Sequence, residues 1–300
     1  MGKILLLIFL FFIQSCSPKI LKVNYSGEIR SGNWLRNLKV NYVLKGDQKE
    51  KFYVPLQIYF PKNYQRGDNS RTIIALPSYN GLLKDWEENT NIEYLANEYN
   101  LVLVCPQMGR TVYETKFYPE TKVKWSGIPG TVFIGEKLIP YLRDNFALAG
   151  DRSKTGILGV STGARGAILA SSVYHDLFGA AAGLSGNYDA LAMTNNKTLI
   201  SVYGEYRDFK ERWLQDDNIL ELSKNLENTS LFLWHGQKDY VVSHKQSIIF
   251  VMRLRQYRRD NGGGYEVIFK EKKYSSYGWR YWKRMVPEVM DFFDKKLKKD

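Results

Sequence analysis

The sequence predicts an α/β domain whose mostly parallel sheet is covered by helices on both faces, and three observations carry that expectation. From residue 72 onward, short apolar runs that read as strands buried on both faces alternate with helix-like stretches. Before them, residues 22–60 alternate apolar and polar side chains in period two, the pattern of antiparallel strands with one wet face. The chain has 300 residues, 44% hydrophobic and 14% aromatic, enough to bury one large core. That composition excludes a disordered chain, a fibrous repeat and a disulfide-stapled miniprotein.

The N-terminus departs from this grammar. Met1-Gly2-Lys3 supplies positive charge, residues 4–13 form an unbroken apolar run, and Gln14-Ser15-Cys16 follows. Ten apolar residues are too few to span a bilayer. The order resembles a bacterial lipoprotein signal, with Ile13 at the aliphatic position, Ser15 as the small residue and Cys16 as the lipid acceptor. An ordinary secretory signal with an incidental cysteine is the alternative. The resemblance implies a signal peptide over 1–15, a tether and N-terminal segment over 16–34, and one domain over 35–300. It places the protein in the bacterial cell envelope, periplasmic or surface-facing, held to a membrane by its lipid. Cys105 is the only other cysteine, so no disulfide framework is expected.

The formal net charge of +12 favours anionic surroundings, either phospholipid head groups or nucleic acid. A membrane tether makes lipid the better explanation, and no nucleic-acid partner is expected.

Along the domain, period-two segments at 38–43 and 54–59 read as the first strands. Buried runs follow at 72–76, 101–105, 156–160, 180–184, 230–234 and 265–269. Helices are expected near 87–98, 131–146, 164–174, 216–226, 244–258 and 280–298. No repeat or long linker marks a second domain. In such a sheet the site lies at the carboxyl ends of the strands, so the residues just after each run are the candidates.

One candidate stands out. Gly159-Val160-Ser161-Thr162-Gly163 follows an apolar run and precedes a helical segment, the placement in which a Gly-x-Ser-x-Gly string forms a nucleophile elbow. The string alone is weak, since a glycine-tolerant strand-to-helix loop reads the same way. Two further segments accompany it, 175–186 from His175 to Gly186 and His235-Gly236-Gln237-Lys238-Asp239. Over roughly 35–295 the chain thereby resembles the α/β-hydrolase superfamily, in particular the esterase branch that includes S-formylglutathione hydrolases and feruloyl or acetyl-xylan esterases.

The resemblance implies an α/β-hydrolase fold acting on a small-molecule or saccharide-linked ester. It makes Ser161 the nucleophile and Asp239 the acid that orients the base. It gives the oxyanion-hole amides to Thr162 and to Tyr79, in the loop Pro77-Ser78-Tyr79-Asn80-Gly81. Relatives usually carry His-Gly where Pro77 and Ser78 stand. The base is where the pattern breaks: the expected Gly-His-x-Trp-x-x-Trp string reads Ser276-Tyr277-Gly278-Trp279-Arg280-Tyr281-Trp282, with Tyr277 in the histidine's place. Only His175, His235 and His244 exist, and His244, five residues past Asp239, is the candidate substitute. Tyr277 could act as base only if cations such as Lys272, Lys273, Arg280 or Arg284 lowered its pKa. Those cations are equally well explained as solvated surface.

Two function classes remain at this stage: a carboxylic-ester hydrolase of impaired activity, or a non-catalytic surface-binding protein on the same fold. No metal-ligand cluster, dinucleotide loop or phosphate loop appears, so no cofactor is implied. Arg66-Gly67-Asp68 reads first as a turn, with an adhesion role as the minor alternative.

Overall fold

The computed structural model describes residues 24–43, 51–66, 69–121, 128–264 and 266–299. The segment expected to be a signal, Cys16, Gly67 and Asp68 lie outside the described residues. Eight strands form a single sheet: β1 (Asn33–Val43), β2 (Lys51–Phe60), β3 (Thr72–Leu76), β4 (Val102–Pro106), β5 (Thr155–Val160), β6 (Ala180–Leu184), β7 (Ser230–Gly236) and β8 (Val267–Lys272). Their spatial order is β1-β2-β4-β3-β5-β6-β7-β8. β1 pairs antiparallel with β2, and β2 with β4, while all later pairings are parallel. This is the mostly parallel sheet with antiparallel N-terminal strands that the apolar patterning predicts.

The helices are α1 (Asp85–Asn89), α2 (Ile92–Tyr99), α3 (Gly130–Phe133), α4 (Ile139–Phe146), α5 (Thr162–Val173), α6 (Lys197–Tyr203), α7 (Ile219–Leu222), α8 (Lys245–Asn261), α9 (Trp279–Trp282) and α10 (Val286–Lys296). Alternate residues of one strand feed two separate cores, as the pleat requires. In β3, Ile74 and Leu76 join a core built with Leu142 of α4, Ile168 of α5 and Phe250 of α8. Ile73 and Ala75 face the other way, onto Leu95 of α2 and Val289 of α10. All five residues of β3 are buried, which explains a continuous apolar run rather than an alternating one.

Two expectations are revised. The helix expected over 87–98 is two, because Thr90 is extended, its hydroxyl donating to the Trp86 carbonyl and accepting from the Ile92 N–H. That local bonding competes with the helical ladder. The helix expected over 280–298 likewise divides into α9 and α10. Packing also begins before residue 35: the Asn24 N–H donates to the Asp144 carbonyl and Tyr25 stacks on Phe146 with ring centroids 5.0 Å apart.

Candidate active site

β5 ends at Val160 and α5 begins at Thr162, so Ser161 alone makes the turn. Its φ of 55° and ψ of −123° lie in a region that L-residues seldom occupy. Such a conformation costs about 1–3 kcal/mol and persists only where the surroundings hold it. The Ser161 N–H donates to the Leu184 carbonyl at 2.9 Å, and its carbonyl accepts from the Arg165 N–H at 3.1 Å. The flanking glycines are dictated by close packing. A Cβ on Gly159 would stand 2.0 Å from the Gly163 carbonyl oxygen, and one on Gly163 would stand 2.3 Å from that of Pro77. The sharp turn thus brings α5 directly against the loop after β3.

Asp239 follows β7 at the same edge of the sheet, and its side chain is fully buried. Oδ1 accepts from the Val241 and Val242 N–H groups at 2.9 and 2.8 Å, which fixes the carboxylate as an Asx-type turn. Oδ2 is buried and takes no hydrogen bond from the described residues. A buried carboxylate oxygen without a donor is expensive and calls for an explanation.

His235 does not supply it. Its Nε2 is 3.2 Å from Oδ2 but is hydrogen-bonded to the Val242 carbonyl at 2.9 Å, and its Nδ1 is 2.8 Å from the Ser247 hydroxyl. A carbonyl only accepts, so Nε2 carries the proton and Nδ1 accepts from Ser247. With both nitrogens engaged and the ring buried, His235 is structural.

Tyr277 follows β8, and its hydroxyl is hydrogen-bonded to Ser161 Oγ at 2.6 Å, each group being able to donate or accept. The ring is held edge-on against Trp282, with centroids 4.8 Å apart, and Trp282 is itself fixed by its Nε1–H donating to Ser185 Oγ at 3.1 Å. Burial raises the phenol pKa above its ordinary value; the bond to Ser161 opposes this, and the negative charge of Asp239 adds to the rise. Lys272, Lys273, Arg280 and Arg284 do not offset that rise, so the phenol holds its proton more tightly than an exposed tyrosine. Ser161 is only 5% exposed beneath it.

His244 precedes α8 and faces outward, with Nε2 3.5 Å from Glu271 Oε2 and its ring 6.5 Å from that of His235. It makes no hydrogen bond to Ser161 or Asp239. His175 is exposed, its carbonyl accepting from Arg152 Nε at 2.8 Å. The structure thus brings together Ser161, Tyr277 and Asp239, and sets His244 apart.

Register places the oxyanion candidates at the same edge, because Leu76 pairs with Gly159. The turn after β3 is pinned by Trp86 Nε1–H donating to the Leu76 carbonyl at 3.3 Å and by the Tyr113 hydroxyl donating to that of Pro77 at 3.0 Å. Asn80, at φ 54°, donates its N–H to the Gly109 carbonyl, so this loop is set without the usual His-Gly pair. Thr162 is the first residue of α5, where an amide N–H has no intrahelical partner.

With that geometry fixed, the family model described as "Putative esterase" matches residues 53–292. The chain belongs to the esterase family. Its α/β-hydrolase fold is shared with solved structures of low identity. A fluorophosphonate-binding serine hydrolase of Staphylococcus aureus superposes with a TM-score of 0.68 at 17% identity, covering 88% of this chain and 99% of that one. An S-formylglutathione hydrolase of the same organism gives 0.66 at 16%, covering 87% and 99%. An acetyl esterase of Caldicellulosiruptor saccharolyticus is 22% identical over 252 residues, 78% of this chain and 88% of that protein.

Sequence reasoning missed one element of this esterase-family site. Residues near 112, 118, 199–203 and 213 form a third small core around Tyr203 and Trp213. Beneath it, Arg165 of α5 is fully buried, donating to the Asp217 carbonyl at 2.9 Å and the Tyr203 hydroxyl at 3.2 Å. The Asp217 carboxylate accepts from the Thr115 N–H at 3.0 Å and from Tyr203 at 2.6 Å. Burial raises the Asp217 pKa, while the Arg165 charge and these bonds pull against that rise. The only sequence signal was an arginine inside an otherwise apolar helix four residues past the nucleophile position.

Proposed function

We propose that this protein is a lipid-anchored envelope member of the carboxylesterase class that binds carboxylic esters at Ser161 and turns them over very slowly. Ester hydrolysis by serine needs a group that takes the hydroxyl proton during attack and returns it to the leaving alcohol. The carrying observation is that the group hydrogen-bonded to Ser161 Oγ, at 2.6 Å, is a buried phenol and not an imidazole with a basic lone pair. Burial raises the phenol pKa, so the phenolate that could act as a base is scarcer than for an exposed tyrosine. The orphaned Oδ2 of Asp239 supports the same reading, since an imidazole N–H would satisfy it and a phenol ring cannot.

In this reading Ser161 is the nucleophile position, Asp239 the acid position, and the Thr162 and Tyr79 amides the donors to the ester carbonyl oxygen. Oxyanion donors and binding alone still leave about 10³–10⁴-fold catalysis over water in a triad-deficient serine hydrolase. We therefore expect 4-nitrophenyl acetate hydrolysis by the wild type to exceed that by Ser161→Ala by less than about tenfold. A difference of several thousandfold would show an efficient base and refute the proposal.

The tether at Cys16 rests on the signal-like order of residues 1–16. Mass spectrometry of membrane-extracted protein should find an acylated N-terminal Cys16, and Cys16→Ser should release the chain from membranes. Wild-type retention by Cys16→Ser would contradict the anchor.

A further inference from the structure

We infer that the loops carrying Asp239 and Tyr277 form a docking surface for an acidic polysaccharide at the mouth of the site. The two loops are interlocked. The Gln237 and Lys238 N–H groups donate to the Lys272 and Ser275 carbonyls at 3.0 and 2.9 Å, and the Ser276 hydroxyl donates to the Lys238 carbonyl at 2.8 Å. A Cβ on Gly236 would stand 2.4 Å from the Ser275 carbonyl oxygen, so no side chain fits between them.

What this platform presents outward is unusual in two independent ways. Tyr240, Tyr274 and Val241 are 86%, 74% and 51% exposed, large apolar surfaces with no partner to cover them. Lys238, Lys272 and Lys273 are exposed and form no ion pair among the described residues. Lys238 and Lys273 flank the Tyr274 ring, with Nζ 5.3 and 5.6 Å from its centroid. Of the nearby carboxylates, Asp239 turns inward and is buried, and Glu271 Oε2 lies 3.5 Å from His244 Nε2.

The 86% exposed Tyr240 ring beside ammonium groups held over Tyr274 suits a chain of sugar rings that bears carboxylate or phosphate. The sugar rings lie on Tyr240 while the anions meet the lysines that Tyr274 positions. Because Asp239 and Tyr277 lie on the same two loops, such a chain would run past Ser161, and that link to an ester rests on the function proposed above. Binding itself requires no turnover, so it is measured with Ser161→Ala in the full chain.

The probe is polygalacturonate, with neutral xylan, anionic phosphatidylglycerol vesicles and a single-stranded DNA oligomer as competitors. We expect retention in affinity electrophoresis on polygalacturonate and none on xylan, with weakening as salt rises. Lys238→Ser with Lys273→Ser should weaken binding about tenfold. Tyr240→Ala with Tyr274→Ala should weaken it to a similar extent and persist at high salt. Arg255→Ser with Arg259→Ser, the same charge removed from the outer face of α8, should leave binding unchanged. Equal weakening by the α8 pair, retention that none of the variants alters, absence of retention, or tighter binding to vesicles or DNA would each overturn the inference.

Discussion

Tyr277→His is expected to raise ester hydrolysis by at least about a hundredfold, the lower end of what a positioned general base contributes. In the proposed reading the nucleophile and acid positions are already held. Ser161 sits at the strained turn, and Asp239 is clamped through Oδ1 with its buried Oδ2 awaiting a donor. An imidazole at 277 would give that oxygen its Nδ1–H and turn Nε2 toward Ser161. The gain sits at the low end because imidazole is shorter than phenol, so the ring must be drawn inward from where the Tyr277 hydroxyl now reaches. The pH profile separates this from a nonspecific effect. In the variant, activity should climb as the new histidine loses its proton, near the ordinary value of about 6.5. In the wild type, the raised phenol pKa moves any rise from Tyr277 ionisation further to the alkaline side of an ordinary tyrosine. A variant no faster than wild type across pH 5–9 would mean the site is unassembled for another reason.

The second large effect concerns the buried support under the site. Arg165→Ala should destabilise the protein by about 3–5 kcal/mol, the range for removing one member of a buried charged network. For a chain of this size that is a fall in Tm of roughly 10 °C. Asp217 fixes how the deficit varies with pH. Its folded pKa is already raised by burial, and losing the Arg165 charge raises it further. A carboxyl group with a raised folded pKa contributes stability that is complete below its unfolded pKa of about 3.9 and is lost as pH climbs through the folded value. The variant's deficit should therefore be larger at pH 7 than at pH 5. Thermal unfolding at both values checks it, and an equal deficit at each would remove Asp217 from the account.

These two effects also mark what the sequence made legible. β3 and β6 fall on the apolar runs 72–76 and 180–184, because strands buried on both faces carry their burial in composition. Ser161 was readable because the elbow needs glycine at 159 and 163, a demand that leaves a pattern. The break at Thr90 was less readable, since a hydroxyl that can end a helix can also sit on its surface. Arg165 and Asp217 were not readable as partners, because a bond spanning 52 residues leaves no periodicity in either segment. α6 and the small core around Trp213 were missed for a related reason: seven residues capped by Asn196 bury only part of one face. For Tyr277, the sequence showed the substitution, and the structure adds its contact with Ser161 Oγ and the burial that raises its pKa.

That the buried phenol beside Ser161 is no effective base is the central claim, and fluorophosphonate labelling followed by mass spectrometry tests it most directly. The reagent reports the nucleophilicity of the serine without requiring a known substrate. The wild type should label slowly, and Tyr277→His should label at Ser161 at least about a hundred times faster, with Ser161→Ala blank in both backgrounds. Rapid stoichiometric labelling of Ser161 in the wild type, with no gain in Tyr277→His, would show that Tyr277 or another group serves as an effective base and would contradict the account.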